Sequence, residues 1–185
     1  MADATVRPAA PSDAAEIARI QLDTWRTAYA DLLPPTVLAE LDADEAAQTW
    51  RQTVEQGPAQ VFVAMEGPSL VGFCAAGPAP EDETASADGT PAKDSATVAL
   101  VSTLHVEPRW GRRGHGGRLL AEAGAAMRAA GSTRGIAWVP EPDDTSLRFY
   151  GRAGWVADGT VRTLDAGGRP LREVRLTGTL RIELV

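Results

Sequence analysis

Apolar residues recur along this chain with two distinct periods. Ile17, Ile20 and Leu22, with Gln21 beside them, fall on one side of a helix that runs to about Ala28. Asp13 and Glu16 stand at capping-box spacing ahead of it. Leu32-Leu33-Pro34-Pro35 breaks that pattern; Val37, Leu38 and Leu41 open a second helical region. A third helix is expected over 44–54, with Ala47, Trp50 and Val54 on one side, stopped by Gly57-Pro58. Short apolar runs then predict strands at 60–65 and 70–77, joined by a turn at Glu66-Gly67-Pro68-Ser69, and a central strand at 96–106. Helical spacing returns at 116–130, where Leu119, Leu120, Ala123 and Met127 face inward. A strand at 136–139, a short helix at 145–152 and two strands at 157–164 and 173–184 complete the order, after a first short strand at 5–9. Such an order gives an α/β domain, a mixed sheet with helices on its faces.

One segment has no period. Residues 78–95 are rich in Pro, Asp, Glu, Ala, Ser and Thr, which predicts a mobile acidic loop, long for a compact domain. With 185 residues and 44% apolar content the chain fits a single domain spanning 1–185. A formal charge of -7 argues against a nucleic-acid or anionic-membrane partner, and leaves room for a local basic site. That site is 107–118, where Arg109, Arg112, Arg113 and Arg118 face Glu107 alone. One cysteine, Cys74, excludes an internal disulfide and a thiolate cluster; two histidines, His105 and His115, argue against a metal site. Cys74 sits in a strand-like run and is expected to be a buried small apolar residue. The first residues, Met1 to Thr5, lack a basic-then-apolar signal, and no run of 18 apolar residues occurs. A cytoplasmic protein with no membrane partner is the expectation.

The chemistry concentrates where the central strand ends. Val98, Leu100, Ser102, Leu104 and Val106 alternate, Pro108 follows, and glycines stand at 111, 114, 116 and 117 before the helical period resumes. Glycines permit tight turns, and the freed N–H groups at a helix start converge on an anion. Arg112, Arg113 and Arg118 are placed to meet outer phosphates. The dinucleotide pattern requires a third spaced glycine near a first strand and an acid about 20 residues on. The P-loop requires Gly-Lys-Ser/Thr. Neither is present, so both common mononucleotide sites are disfavoured.

At these residues the sequence resembles the GCN5-related N-acetyltransferase (GNAT) family. Gly111, Arg112-Arg113, Gly114, His115 and Gly116 align with its signature of Arg or Gln, two variable residues, Gly, one variable residue, and Gly or Ala. Gly111 departs from the usual Arg or Gln, but a role carried by backbone amides does not depend on that side chain. The resemblance implies the family's acyl-CoA N-acyltransferase fold, a mixed and mostly antiparallel sheet flanked by helices. It implies that the amides of Arg112, Arg113, Gly114, His115, Gly116 and Gly117, with Arg118, hold the pyrophosphate of acetyl-CoA, the acyl donor. It also implies that Leu104, His105 and Val106 bond the pantetheine arm through their backbone.

A second block, Asp143 to Trp155, resembles the family's later motif, with Tyr150 on its tyrosine, Asp143 where Asn is common, and Trp155 where Phe is common. By that resemblance Asp143 belongs to the cofactor site and Tyr150 is the general acid that protonates the departing thiolate. A third block, Trp25 to Pro34, resembles the W-x-x-x-Y-x-x-x-L-P arrangement of a bacterial subset, in which the first helices flank the acceptor entrance. Trp25 and Tyr29 are therefore expected to line the acceptor pocket, and Trp138 to border the gap between two splayed strands. Glu66, Glu107, Glu141, Asp143, Asp144 and His105 are open candidates for a base. The reaction implied is acetyl transfer to a primary amine of a small molecule, peptide or protein, by a monomer or homodimer. A non-catalytic acyl-CoA-binding domain on the same fold is the alternative.

Overall fold

The computed structural model describes residues 4–183. Among the described residues one seven-stranded sheet runs in the order β1-β2-β3-β4-β5-β7-β6. Its strands are β1 (Ala4–Pro8), β2 (Gln60–Glu66), β3 (Ser69–Pro78), β4 (Val98–Val106), β5 (Arg134–Pro140), β6 (Val156–Ala166) and β7 (Arg169–Gly178). Helices α1 (Ala14–Ala28), α2 (Pro35–Ala39) and α3 (Ala43–Gln56) precede β2. Helix α4 (Glu81–Thr84) lies before β4, α5 (His115–Ala129) after it, and α6 (Asp144–Arg152) after β5. Every strand pair is antiparallel except β4 with β5. The sheet is thus mixed and mostly antiparallel, as expected.

Two cores sit on its two faces. On one, Ile17 and Ile20 of α1 and Trp50 of α3 pack on Val61, Val63 and Phe73, with the Trp50 and Phe73 rings edge to face at 5.0 Å. On the other, Leu119, Leu120, Ala123 and Met127 of α5 pack on Val71, Cys74, Ala137 and Val139. All four expected inward residues of α5 are buried. So is Cys74.

The boundaries differ where long-range contacts decide them. Asp13 does not cap α1 through its side chain; the carboxylate accepts from the Ala10 amide at 2.7 Å and from Arg7 at 2.7 and 2.9 Å. Strand β7 starts at Arg169 rather than at 173 and ends at Gly178, while Leu184, in the predicted strand, lies outside the described residues. The segment 78–95 contains α4 and is fastened to the sheet. Thr84 is buried, Arg175 donates to the carbonyls of Glu83 and Ala85 at 2.7 Å each, and Asp94 pairs with Arg134 at 2.6 Å. No described helix is long and apolar enough to cross a membrane.

Candidate active site

Strands β4 and β5 pair only over Val98–Leu100 with Arg134–Ile136. Beyond that point β4 stays bonded to β3 as far as Val106, and β5 to β7 as far as Pro140. An open strand edge results, Val101 to Val106, whose backbone groups on the β5 side are available to a ligand. A bulge starts the opening. Ala75 pairs with Thr103 and Ala76 with Val101, leaving Ser102 extra, its hydroxyl donating to the Ala75 carbonyl at 3.2 Å.

The open edge leads into the glycine-rich turn. Pro108–Trp110 forms one 3-10 turn, Arg112 takes φ 61 and Gly114 φ 81, and α5 begins at His115. The amides of Arg112, Arg113, Gly114, His115, Gly116 and Gly117 donate to no other group among the described residues. Six consecutive free donors at a helix start, beside Arg112, Arg113 and Arg118, form an anion cradle. Arg118 also donates to the Arg113 carbonyl at 3.0 Å, bracing the turn from inside. Gly116 matters for packing: a Cβ there would lie 3.1 Å from the Phe149 ring of α6 and 3.7 Å from Leu104.

His115 contributes to this cradle only through its backbone, because its ring is buried. Nε2 lies 2.9 Å from Glu66 Oε2 without hydrogen-bond alignment, and Nδ1 has no partner among the described residues. Burial lowers the His115 pKa, against the pull of Glu66. Arg113, which also faces Glu66 at 3.8 Å, lies over the Trp110 ring at 4.8 Å.

Tyr150 is buried on α6, at 5.1 Å from the Phe149 ring and 5.2 Å from that of Trp155. Burial, then Cys74, Tyr29 and Asp143, raise its pKa, so the hydroxyl keeps its proton at neutral pH. Burial alone pushes the Cys74 thiol up to about 12, which removes it as a nucleophile. Asp143 is the N-cap of α6, accepting from the Ser146 amide at 3.0 Å and its hydroxyl at 2.7 Å. Its Oδ2 also accepts the Tyr29 hydroxyl at 3.3 Å. The end of α1 is thereby joined to the block that carries Tyr150. Among the described residues the Asp143 carboxylate has no hydrogen bond or ion pair to the turn at 112–118; its partners are Tyr29 and Ser146.

Leu104 and Val106 pack toward the α5 core, while His105 faces the other way, edge-on to Phe73 at 5.6 Å and Tyr29 at 6.4 Å. Burial lowers its pKa to about 4. Its side chain therefore sits on the α1 face of the sheet, and only its backbone belongs to the open edge. Trp138 lies on that face too, but under charge. Its Nε1 donates to Glu83 of α4, and the Arg162 guanidinium covers the ring at 4.4 Å. It does not line the cavity that holds Trp25 beside α3.

The acid candidates separate by location. Glu66 is spent at the cradle. Glu107 is buried and gripped by Arg19 and Arg109; burial works to raise its pKa, but those bonds outweigh it and hold it below the usual range. Glu141 pairs with Arg172 at 3.2 Å, and Asp144 is exposed. The sequence reading missed Glu173 of β7, a buried carboxylate that pairs with Arg162 at 2.6 Å and contributes to the raised Tyr29 pKa. The alternation Glu173-Val174-Arg175-Leu176 was the available signal: charges on one face, apolar groups on the other. Among the described residues no group of three or more His, Cys, Asp or Glu could hold a metal ion.

An open cradle, an open strand edge and a buried tyrosine beside it invite comparison with known proteins. The family model described as acetyltransferase (GNAT) family matches residues 18–155. The uncharacterized N-acetyltransferase YuaI of Bacillus subtilis (strain 168) is 32% identical over 147 residues, covering 79% of this chain and 76% of the relative. Among solved structures, yncA from Salmonella typhimurium, with its cofactor acetyl-CoA, superposes with a TM-score of 0.70 at 17% identity, over 99% of this chain and 97% of that one. The PaiA N-acetyltransferase of Thermoplasma acidophilum, in complex with coenzyme A, gives 0.66 at 15% identity over 92% and 98%. The two structural likenesses speak for the fold; the family model and the Bacillus relative, both matched over most of the chain, establish that it belongs to the GNAT acetyltransferase family.

Proposed function

We propose that this protein transfers an acetyl group from acetyl-CoA to a primary amine by direct attack within a ternary complex. The observation that carries the reading is the run of six free amides at 112–117, continuous with the open β4 edge, whose Leu104 packs in the same cluster as Tyr150. The amides, with Arg112, Arg113 and Arg118, suit the diphosphate of the donor, and the backbone of Leu104 to Val106 suits its amide-bearing arm. The acetyl-CoA of yncA and the coenzyme A of PaiA agree with such a donor.

A neutral amine nitrogen attacks the thioester carbon to form a C–N bond. The tetrahedral intermediate then breaks its C–S bond, and the sulfur leaves as a thiolate. Tyr150 gives its proton to that sulfur; burial raises its pKa, so the hydroxyl is protonated when the thiolate forms. The proton lost by nitrogen passes to solvent, and Tyr150 is reprotonated from water. Backbone N–H groups at the Ser102 bulge, where the ladder to β3 is interrupted, would receive the oxyanion. No side chain is assigned as base, because Glu66 and Glu107 are engaged elsewhere and Asp143 caps α6.

Initial rates over a grid of acetyl-CoA and amine concentrations test direct attack. Intersecting double-reciprocal lines are expected. Parallel lines, with an acetylated protein trapped in the absence of amine, would show a covalent route and contradict the proposal.

A further inference from the structure

A cavity of ≈ 470 Å³ opens between α1, α3 and the β3–β4 wall, within the range of small-molecule sites. It meets the reacting region along two parallel tracks. On β4 the cavity wall ends at Ser102, the bulge residue, and His105 follows on the α1 face of the sheet. On α1 the cavity contains Trp25; Tyr29, one turn later on the same side, touches His105 and bonds Asp143. A molecule with its amine near Tyr29 and His105 would have to run back along these two tracks to put its body in this cavity.

The lining defines that body. Leu22, Trp25, Leu41 and Trp50 supply apolar surface, and the Trp50 Nε1 is satisfied by Gln21 at 2.8 Å, so that indole makes no polar demand of its own. Glu40, Asp42 and Glu45 stand at the α2–α3 end. Asp42 is used as the α3 N-cap, accepting the Glu45 amide at 2.8 Å. Glu40 and Glu45 are exposed and have no ion-pair partner among the described residues. No lysine or arginine lines the cavity. The nearby Arg26 is exposed and directed to the Leu41 carbonyl at 3.1 Å. An apolar, indole-lined cavity ending in two free carboxylates complements an apolar arm ending in a cation.

We propose that this cavity receives the acceptor, and that the acceptor is a primary amine on an apolar arm bearing a second cationic centre. The assignment rests on the acetyl-transfer reading above for its reacting amine, and on the cavity for its distal charge.

Three amines of matched length separate the two: hexamethylenediamine, hexylamine and aminocaproate. Thiol release from acetyl-CoA should give kcat/KM in that order, with roughly a tenfold spread between the diamine and the carboxylate-ended amine. The E40Q/E45Q double variant should shrink the ratio of diamine to hexylamine severalfold. Equal rates for the three amines, a preference for aminocaproate, or an unchanged ratio in the variant would overturn the assignment. If none of the three is turned over, calorimetric titration with hexamethylenediamine decides. Binding weakened severalfold in E40Q/E45Q upholds the cavity while the transfer reading fails; no difference between the proteins overturns the cavity as well.

Discussion

The Tyr29 hydroxyl donates to Asp143 Oδ2 at 3.3 Å across 114 positions of sequence. This bond ties the C-terminal end of α1 to the N-cap of α6, and so fixes α1 relative to the helix that carries Tyr150. Burial, then Asp143, raises the Tyr29 pKa, which keeps the phenol a donor. Tyr150 lies close enough to both groups that each adds to its own raised pKa. Two tyrosines and a carboxylate from two separate sequence blocks are held as one unit.

Tyr150→Phe separates that chemistry from packing. The ring contacts with Phe149 and Trp155 survive the substitution. Loss of a general acid typically costs about 100-fold or more in turnover. The expected outcome is a kcat lower by about that factor, with an acetyl-CoA dissociation constant close to wild type. Unchanged turnover would remove Tyr150 from the reaction.

His105 offers a test of the packing between β4 and α1 by titration. Its ordinary value is 6.5, and burial lowers it to about 4 in the fold. The unfolded chain binds the proton more readily, so this group's contribution to stability is complete above about 6.5. It is lost as pH falls from there to about 4. Imidazole NMR resonances of the folded protein should titrate with a midpoint near 4. A midpoint near 6.5 would mean an open, solvated ring.

Gly124 of α5 faces the C-terminal segment, where a Cβ would overlap the Leu180 carbonyl oxygen. Alanine is the better helix former by about 1 kcal/mol, so propensity alone predicts stabilisation. The clash is with backbone that Arg128 also grips, and overpacking of this kind costs about 1–3 kcal/mol. Gly124→Ala should therefore lower the urea midpoint. A raised midpoint would show that the segment after β7 moves aside freely.

Local periodicity carried most of the fold into view. The inward rows of α1 and α5, the alternation of β4 and the glycines before α5 are all properties of neighbouring residues. What lay hidden depends on partners far apart. Residues 78–95 look polar and aperiodic, yet Glu83 reaches Arg162 at 2.8 Å and Trp138 Nε1 across the sheet, and Arg175 holds the carbonyls on either side of Thr84. Strand β7 begins with charged residues and a proline, and its pairing with β6 is what makes it a strand. In the site, the glycine turn and Tyr150 could be found by spacing. Burial of His115 could not, because it is set by the elements packed against it, whereas the Asp143 cap, three residues before Ser146, and the alternation at Glu173 are local signals.

The central claim is that acetyl moves from acetyl-CoA to an amine on this chain. The most direct measurement follows free thiol from acetyl-CoA across an amine library and weighs the products by mass spectrometry. The account predicts thiol release that depends on amine, matched mole for mole by an acetylated amine, and lost with Tyr150→Phe. Thiol release equal with and without amine, or saturable acetyl-CoA binding with no acetylated product from any amine, would contradict it.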